Sequence, residues 1–188
     1  MHRDLVNQVL QNPFVAEVVD AIPELTLANC FVAAGCIAQT VWNLSHGRDP
    51  AADIKDIDLV YFDPDLSESK EQADRQCVTR HFPGVPMKLD VKNEARVHLW
   101  YEQAFGYSIA PYASAEQAIS TFPTTATAVA IRKSGDEYEV FAPFGIDDLT
   151  NLVVRANKRQ ITRKIYENKI SRWREIWPRL KILDWDEA

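Results

Sequence analysis

The spacing of apolar residues predicts short helices and short buried strands in alternation. Near the N-terminus, apolar positions at helical steps predict two helices, and Asn12 followed by Pro13 fits the start of the second. The apolar run 27–34 predicts a buried strand that leads directly into a helical pattern. The runs 57–62 and 85–91 predict a second and a third strand.

The rest of the chain predicts further helices and one hairpin. A charged helix is expected over 67–81, and helical spacing returns over 95–105. A short helix begins at Ser114, and two β-rich segments around a turn at 134–136 predict a hairpin. Apolar residues at steps of three and four predict a long last helix over about 158–180.

This order of elements is typical of an α+β fold, in which helices pack against a mixed sheet. The chain has 188 residues, enough to bury a continuous core, and no linker, internal repeat or low-complexity tract divides it. We therefore predict a single domain over residues 1–188, with the C-terminal helix packed on it.

Composition excludes several classes of protein. The hydrophobic fraction of 46% is too high for intrinsic disorder, and no apolar run is long enough to span a bilayer. The N-terminal residues do not have the pattern of an export signal. Three cysteines without a CxxC pair, and without histidines at zinc-finger spacing, argue against structural zinc. We predict a cytoplasmic protein with no membrane partner.

Charge is unevenly distributed along the chain. The net charge of −6 argues against a general nucleic-acid-binding protein. Residues 1–150 hold 11 basic and 22 acidic side chains, whereas residues 151–188 hold 10 basic and 5 acidic ones. The basic segment fits either a face that handles phosphates or the solvated side of an amphipathic helix.

The candidate chemistry lies on the predicted second and third strands. Residues two apart in a strand point to the same face, so Asp56 and Asp58 project together. Adjacent carboxylates repel each other, and a divalent cation such as Mg²⁺ (or Mn²⁺) relieves that repulsion. Asp90 on the third strand would complete a two-metal centre of the kind used in phosphoryl transfer.

A second candidate feature is the junction between the first strand and its helix. Gly35 would let a phosphate approach the backbone, and the small Cys36 would not block it. Free N–H groups and the positive end of the helix dipole would meet the phosphate there. Taken alone, a glycine after a strand is usually only a turn, and an Asp-x-Asp pair is common at strand starts.

Together these residues resemble the active-site signature of the DNA-polymerase-beta-like nucleotidyltransferase superfamily. A closer resemblance is to a bacterial family of small nucleotidyltransferase-like proteins. It extends over roughly residues 5–180 and includes the strings Ala34-Gly35-Cys36, Ile54-Lys55-Asp56-Ile57-Asp58, Val91-Lys92-Asn93-Glu94-Ala95-Arg96-Val97-His98-Leu99-Trp100-Tyr101, Ala142-Pro143-Phe144-Gly145-Ile146-Asp147-Asp148-Leu149 and Trp177-Pro178.

The resemblance implies a nucleotidyltransferase head like that of tRNA CCA-adding enzymes. It implies that Asp56 and Asp58 hold magnesium and that Asp90 completes the site and helps to deprotonate an acceptor hydroxyl. It also implies that Gly35 and Cys36 hold the β- and γ-phosphates of a nucleoside triphosphate. A nucleoside monophosphate would be transferred and pyrophosphate released.

Several alternatives stay open at the level of sequence. Arg96 is expected either to bind phosphate or to pair with a carboxylate. The helical spacing of Trp173 and Trp177 indicates packing in the core and not stacking on a base. Cys36 and the lack of a separate acceptor-binding domain also fit a nucleotide-binding module without turnover. A toxin-like enzyme that modifies tRNA or protein is a further alternative. The acceptor, whether small molecule, tRNA or protein, and the oligomeric state are not predicted.

Overall fold

The computed structural model describes residues 2–187 and contains a five-stranded mixed sheet with helices on both faces. The strands of this sheet are β1 (Phe31–Ala33), β2 (Asp56–Tyr61), β3 (Lys88–Asn93), β4 (Ala130–Ser134) and β5 (Glu137–Phe141). A separate two-stranded sheet is formed by β6 (Val153–Val154) and β7 (Lys181–Ile182). The α-helices are α1 (Arg3–Val9), α2 (Pro13–Ala21), α3 (Gly35–Ser45), α4 (Glu68–His81), α5 (Val97–Phe105), α6 (Ala115–Ile119), α7 (Asp147–Thr150) and α8 (Arg163–Ile176). The predicted α+β class is confirmed.

Strand order brings the candidate carboxylates to one edge of the sheet. The order is β3-β2-β1-β4-β5, so β3 is an edge strand. Strands β2 and β3 run parallel, whereas β1 is antiparallel to both β2 and β4. In this register Asp58 lies opposite Ala33 on one side and opposite Asp90 on the other.

The two faces of the sheet bury different cores. Ile57 and Leu59 of β2 belong to the larger core, which also contains the buried faces of α1, α2, α3 and α8. Val60 points the other way, into a smaller cluster with Phe31 and with Ile119 of α6. Because side chains alternate along a strand, Asp56 and Asp58 lie on the face with the smaller core. That face is therefore only partly covered, which leaves room for a site.

Three tryptophans attach α8 to α3. Trp42 of α3 is fully buried and meets Trp173 and Trp177 edge-on, with ring centroids 5.0 and 5.4 Å apart. The indole N–H of Trp177 donates to the Oδ1 of Asn43 at 2.8 Å. The expectation that Trp173 and Trp177 are core residues is confirmed, and this packing fixes where α8 lies relative to the sheet.

The C-terminal helix is shorter than the predicted 158–180. It starts at Arg163 because residues 158–160 form a turn, and Asn157 before that turn donates to the carbonyls of Ser120 and Phe122 at 2.9 Å. It ends at Ile176 because Pro178 disfavours the helical conformation for the residue before it.

The helices are short. The longest two, α4 and α8, have 14 residues each. Within residues 2–187, no helix combines the length and apolar character that crossing a membrane requires.

Candidate functional site

The three predicted carboxylates lie side by side on the partly covered face of the sheet. Asp56 and Asp58 alternate with the buried Ile57 along β2. Asp90 is the register partner of Asp58 on β3 and therefore points to the same side. All three are half-buried. The sheet thus brings the predicted residues to one edge.

Two lysines share this edge with the carboxylates. The Nζ of Lys92 lies 2.5 Å from Asp90 Oδ2 and 3.8 Å from Asp58 Oδ1. The Nζ of Lys88 lies 3.3 Å from the other oxygen of Asp90. Among residues 2–187, no group of three or more His, Cys, Asp or Glu side chains is gathered closely enough to hold a metal ion. In this conformation the cation shared by Asp58 and Asp90 is therefore the ammonium group of Lys92.

The charges at this edge shift the acidities of its groups. Burial, together with Asp56 and Asp90, raises the pKa of Asp58 to about 6, although Lys92 acts in the opposite direction. Burial also opposes ionisation of Asp90, but its contacts with Lys92 and Lys88 hold its pKa below the usual range. Burial disfavours the Lys92 ammonium, yet Asp58 and Asp90 keep its pKa above normal. The carboxylates at this edge repel one another, and a cation nearby stabilises their ionised forms.

The junction of β1 and α3 differs from its sequence interpretation. The left-handed backbone conformation falls on Ala34, with φ of 63°, and Gly35 is the first residue of α3. A Cβ on Gly35 would lie 2.8 Å from the Nε2 of Gln39, so glycine here leaves room for that buried amide. Cys36 is fully buried and its thiol contacts the carbonyl of Ala33 at 3.2 Å. The predicted contact of Cys36 with a phosphate would therefore have to be made by its backbone and not by its thiol.

Ala34→Gly is expected to stabilise the fold. A non-glycine residue in this backbone region costs on the order of 1–3 kcal/mol, while glycine costs roughly 0.5–1 kcal/mol in unfolded-state entropy. The variant should therefore gain about 1 kcal/mol in the free energy of unfolding, measured by urea denaturation. A loss of stability of the same size would contradict the assigned conformation of Ala34.

A cavity of about 220 Å³ opens beside Asp58. Its floor is the face of the sheet, one wall is α5, and the opposite wall is the chain that leads into α8. Aromatic and aliphatic side chains form most of the lining, and the polar groups include Asp58, Lys92, Glu94 and Lys169. The apolar lining residues are Ala34, Val60, Val97, Trp100, Tyr101, Phe105, Phe122, Pro123, Ile161 and Ile165. A mostly apolar lining with a few polar groups is typical of a site for a small ligand.

The two walls of the cavity are joined by a tyrosine network. Tyr107 donates to the backbone carbonyl of Gln160 at 2.7 Å, and Tyr112 donates to the side-chain carbonyl of the same residue at 2.9 Å. Tyr101 on α5 lies 3.0 Å from the hydroxyl of Tyr107. These contacts fix the width of the cavity.

Glu94 is the most buried acid of the cavity. Only 4% of it is exposed, and its carboxyl makes no hydrogen bond or ion pair with any residue in the range 2–187. Burial is the main cause that raises its pKa to about 8, with Asp58 and Glu71 adding to the effect and Lys92 opposing it. A protonated carboxyl in an apolar cavity can donate one hydrogen bond and accept another.

Glu94→Gln is expected to change how stability depends on pH. The pKa of Glu94 is about 8 in the fold against an ordinary 4.5, so the unfolded chain loses this proton first as pH rises. Wild-type stability should therefore fall between about pH 4.5 and pH 8 relative to the variant, which has no proton to lose. In urea unfolding at pH 5, 6.5 and 8, the free energy of unfolding of the variant relative to that of the wild type should rise with pH, by up to a few kcal/mol. A difference that does not change with pH would contradict the assigned environment.

The basic C-terminal segment reaches the site through one side chain of α8. Lys169 lines the cavity, and its charge acts on Asp58. Arg155, Arg163 and Arg174 instead pair with carboxylates elsewhere. The basic segment therefore supplies one cation to the cavity, and its arginines pair with carboxylates elsewhere; that this segment handles phosphates stays a prediction.

Arg96, a predicted phosphate ligand, lies in a structural ion pair. Its Nη1 contacts the Oε2 of Glu71, and its Nε donates to the carbonyl of Leu66 at 3.0 Å. Arg96 is buried and does not line the cavity beside Asp58. The geometry matches the alternative in which this arginine pairs with a carboxylate.

Sequence reasoning missed three polar groups of the site. Lys92 follows Asp90 by two residues, so strand alternation could have placed it on the same face. Glu94 lies in the first turn of a short helix, where acidic residues are common, so its position in the sequence does not indicate a functional role. Lys169 faces the cavity only because the tryptophan packing sets the rotation of α8.

Comparison with known proteins places this geometry in context. A family model described as nucleotidyltransferase matches residues 20–182. A solved structure described as a CCA-adding enzyme head domain has 25% sequence identity and a TM-score of 0.79, covering 98% of this chain and 96% of its own. No curated protein matches the chain.

Proposed function

Because the chain belongs to the nucleotidyltransferase family, we propose that it transfers a nucleoside monophosphate from a nucleoside triphosphate to an acceptor hydroxyl, with release of pyrophosphate. The observation that carries the proposal is the placement of Asp56, Asp58 and Asp90 on one face of β2 and β3, beside the N-terminus of α3, with Asp58 in the lining of the cavity of about 220 Å³.

The donor chemistry of this edge fits Mg²⁺ or Mn²⁺. Carboxylate oxygens are the ligands these ions prefer, and Asp56 and Asp58 would hold the ion, with Asp90 completing the site once Lys92 and Lys88 release it. A bound divalent ion would neutralise charge on the triphosphate and acidify an acceptor hydroxyl. Once its lysines have released it, Asp90 would also be the carboxylate that takes the hydroxyl proton.

The triphosphate has a complementary surface at the start of α3. The first backbone N–H groups of this helix, at Gly35 and Cys36, have no partners within the helix and carry its positive dipole end. Lys169 adds a cation on the cavity side. We expect the β- and γ-phosphates at the helix and the α-phosphate at the carboxylate edge.

The cavity is the proposed position of the nucleobase. A base would stack on aromatic side chains such as Trp100 and Phe122, since stacking on aromatic rings is the usual contact of an unpaired base. Glu94 and Gln160 would meet its polar edge.

The proposal includes a cytoplasmic location. Nucleoside triphosphates are available there, and the three free cysteines fit a reducing compartment.

Transfer is tested with the four α-³²P-labelled nucleoside triphosphates, Mg²⁺ and three acceptor pools: bulk tRNA, a protein extract and a small-molecule extract. The proposal expects label to appear in one pool, together with pyrophosphate, and to be lost with EDTA. Wild-type protein that binds no triphosphate and labels no pool would contradict it.

A second candidate is nucleotide binding without transfer. The specific observation in its favour is that lysines engage both oxygens of Asp90. Calorimetry that detects Mg²⁺-dependent triphosphate binding, combined with no label in any pool, would favour this function over transfer.

A further inference from the structure

The position of Lys92 carries an inference about how the site binds metal. Lys88, Asp90 and Lys92 alternate on β3, so all three side chains lie on the face that holds Asp56 and Asp58. The Lys92 ammonium lies between two carboxylates, 2.5 Å from Asp90 and 3.8 Å from Asp58. A single positive charge thus bridges the two strands at the place where a shared cation would lie.

Lys92 differs from Lys88 in what it touches. Within residues 2–187, the Lys88 ammonium pairs with Asp90 alone and its side chain is 72% exposed, whereas the Lys92 ammonium pairs with both carboxylates and its side chain is 34% exposed. Lys92 also lines the cavity beside Lys169. Its flexible four-carbon stem can therefore carry the ammonium from the carboxylates toward a ligand in the cavity.

We infer that Lys92 is a tethered counter-ion that holds the position of one divalent cation in the nucleotide-free protein. The incoming triphosphate draws the ammonium away from Asp90, and a divalent ion then takes its place between Asp58 and Asp90. Metal and triphosphate consequently bind cooperatively, because each removes the competitor of the other. The inference rests on the proposed function and deepens it by assigning an order to ligand binding.

The alternative is that Lys92 only stabilises the folded strand pair. Removing one partner from a partly buried charge cluster leaves the remaining carboxylates uncompensated. If Lys92 were purely structural, replacing it would lower the stability of the protein and Mn²⁺ would not restore it. If Lys92 is a tethered counter-ion, Mn²⁺ should restore the stability of the variant.

Mn²⁺ binding to the nucleotide-free protein, followed by electron paramagnetic resonance, tests the inference. Lys92→Met should bind Mn²⁺ roughly tenfold or more tightly than wild type, since the competing charge is gone. Lys88→Met is the matched control: it removes a charge from the same strand and the same aspartate but should change the affinity by about threefold at most. Equal or weaker Mn²⁺ binding by Lys92→Met would overturn the inference, as would an equal gain in both variants.

A second readout uses a non-hydrolysable triphosphate analogue. The analogue should strongly increase the affinity of the wild type for Mn²⁺. The factor of this increase should be roughly tenfold smaller in Lys92→Met, which has no ammonium to displace. Unchanged coupling would overturn the inference. If Lys92→Met does not fold, Lys92→Gln takes its place in both measurements, with thermal melts in EDTA and in Mn²⁺ as the check of folding. Because Mn²⁺ alone is the probe in the first measurement, its outcome is independent of whether any acceptor is labelled.

Discussion

Asp58→Asn is expected to lower nucleotidyl transfer by about 10³-fold or more while the protein stays folded. Asp58 lies opposite Asp90 in the sheet and lines the cavity. Asparagine keeps the shape of the side chain but removes the charge that holds a divalent ion. Loss of that electrostatic stabilisation is worth several kcal/mol in the transition state, hence the size of the effect.

The measurement is the rate of pyrophosphate release with the acceptor pool that the wild type labels. Asp136→Asn is the matched control, because it makes the same chemical change at an exposed turn between β4 and β5. The control should keep wild-type activity. Asp58→Asn with more than about a tenth of wild-type activity would rule out this aspartate as a metal ligand.

Trp177→Ala is expected to have the largest effect on stability, at about 3–5 kcal/mol. Trp177 is fully buried, packs edge-on against Trp42, and donates to Asn43. Asn43 in turn donates to the carbonyls of Pro50 and Ala52 in the loop before β2. Truncation therefore opens a cavity, leaves an amide oxygen without its donor, and loosens α8 from α3.

Urea unfolding measures this loss, and two variants separate its causes. Trp177→Phe keeps an aromatic ring but removes the N–H donor, so it should cost less, at roughly 1–3 kcal/mol. Trp185→Ala makes the same truncation at a half-buried position of the terminal segment and should cost about 1 kcal/mol. Equal losses for Trp177→Ala and Trp185→Ala would contradict the role of Trp177 as the anchor of α8.

Local patterns in the sequence were enough to predict the α+β fold and to place the candidate carboxylates on neighbouring strands. Apolar runs mark β2, and the alternation of a strand places Asp56 and Asp58 on one face. The strand predicted over 27–34 is shorter because Asn29 takes a left-handed conformation, with φ of 49°, so that pairing begins only at Phe31. A single domain over residues 1–188 stays a prediction.

Features that depend on tertiary contacts were beyond the sequence. The positive φ at the β1–α3 junction falls on Ala34 and not on the adjacent Gly35, which instead leaves room for the amide of Gln39. Glu94 enters the cavity only because α5 and the segment before α8 close over the sheet. The engagement of Asp90 by two lysines follows from strand alternation and from side-chain lengths that no motif records.

The proposed metal-dependent triphosphate site of Asp56, Asp58 and Asp90 can be tested by ligand binding, without knowledge of the acceptor. Calorimetry with the four α,β-methylene nucleoside triphosphates, in Mg²⁺ and in EDTA, compares the wild type with Asp58→Asn. At least one analogue should bind the wild type in Mg²⁺, EDTA should remove this binding, and Asp58→Asn should lose it. Binding that is equal in Mg²⁺ and EDTA, or unchanged in Asp58→Asn, would show that these aspartates do not form such a site.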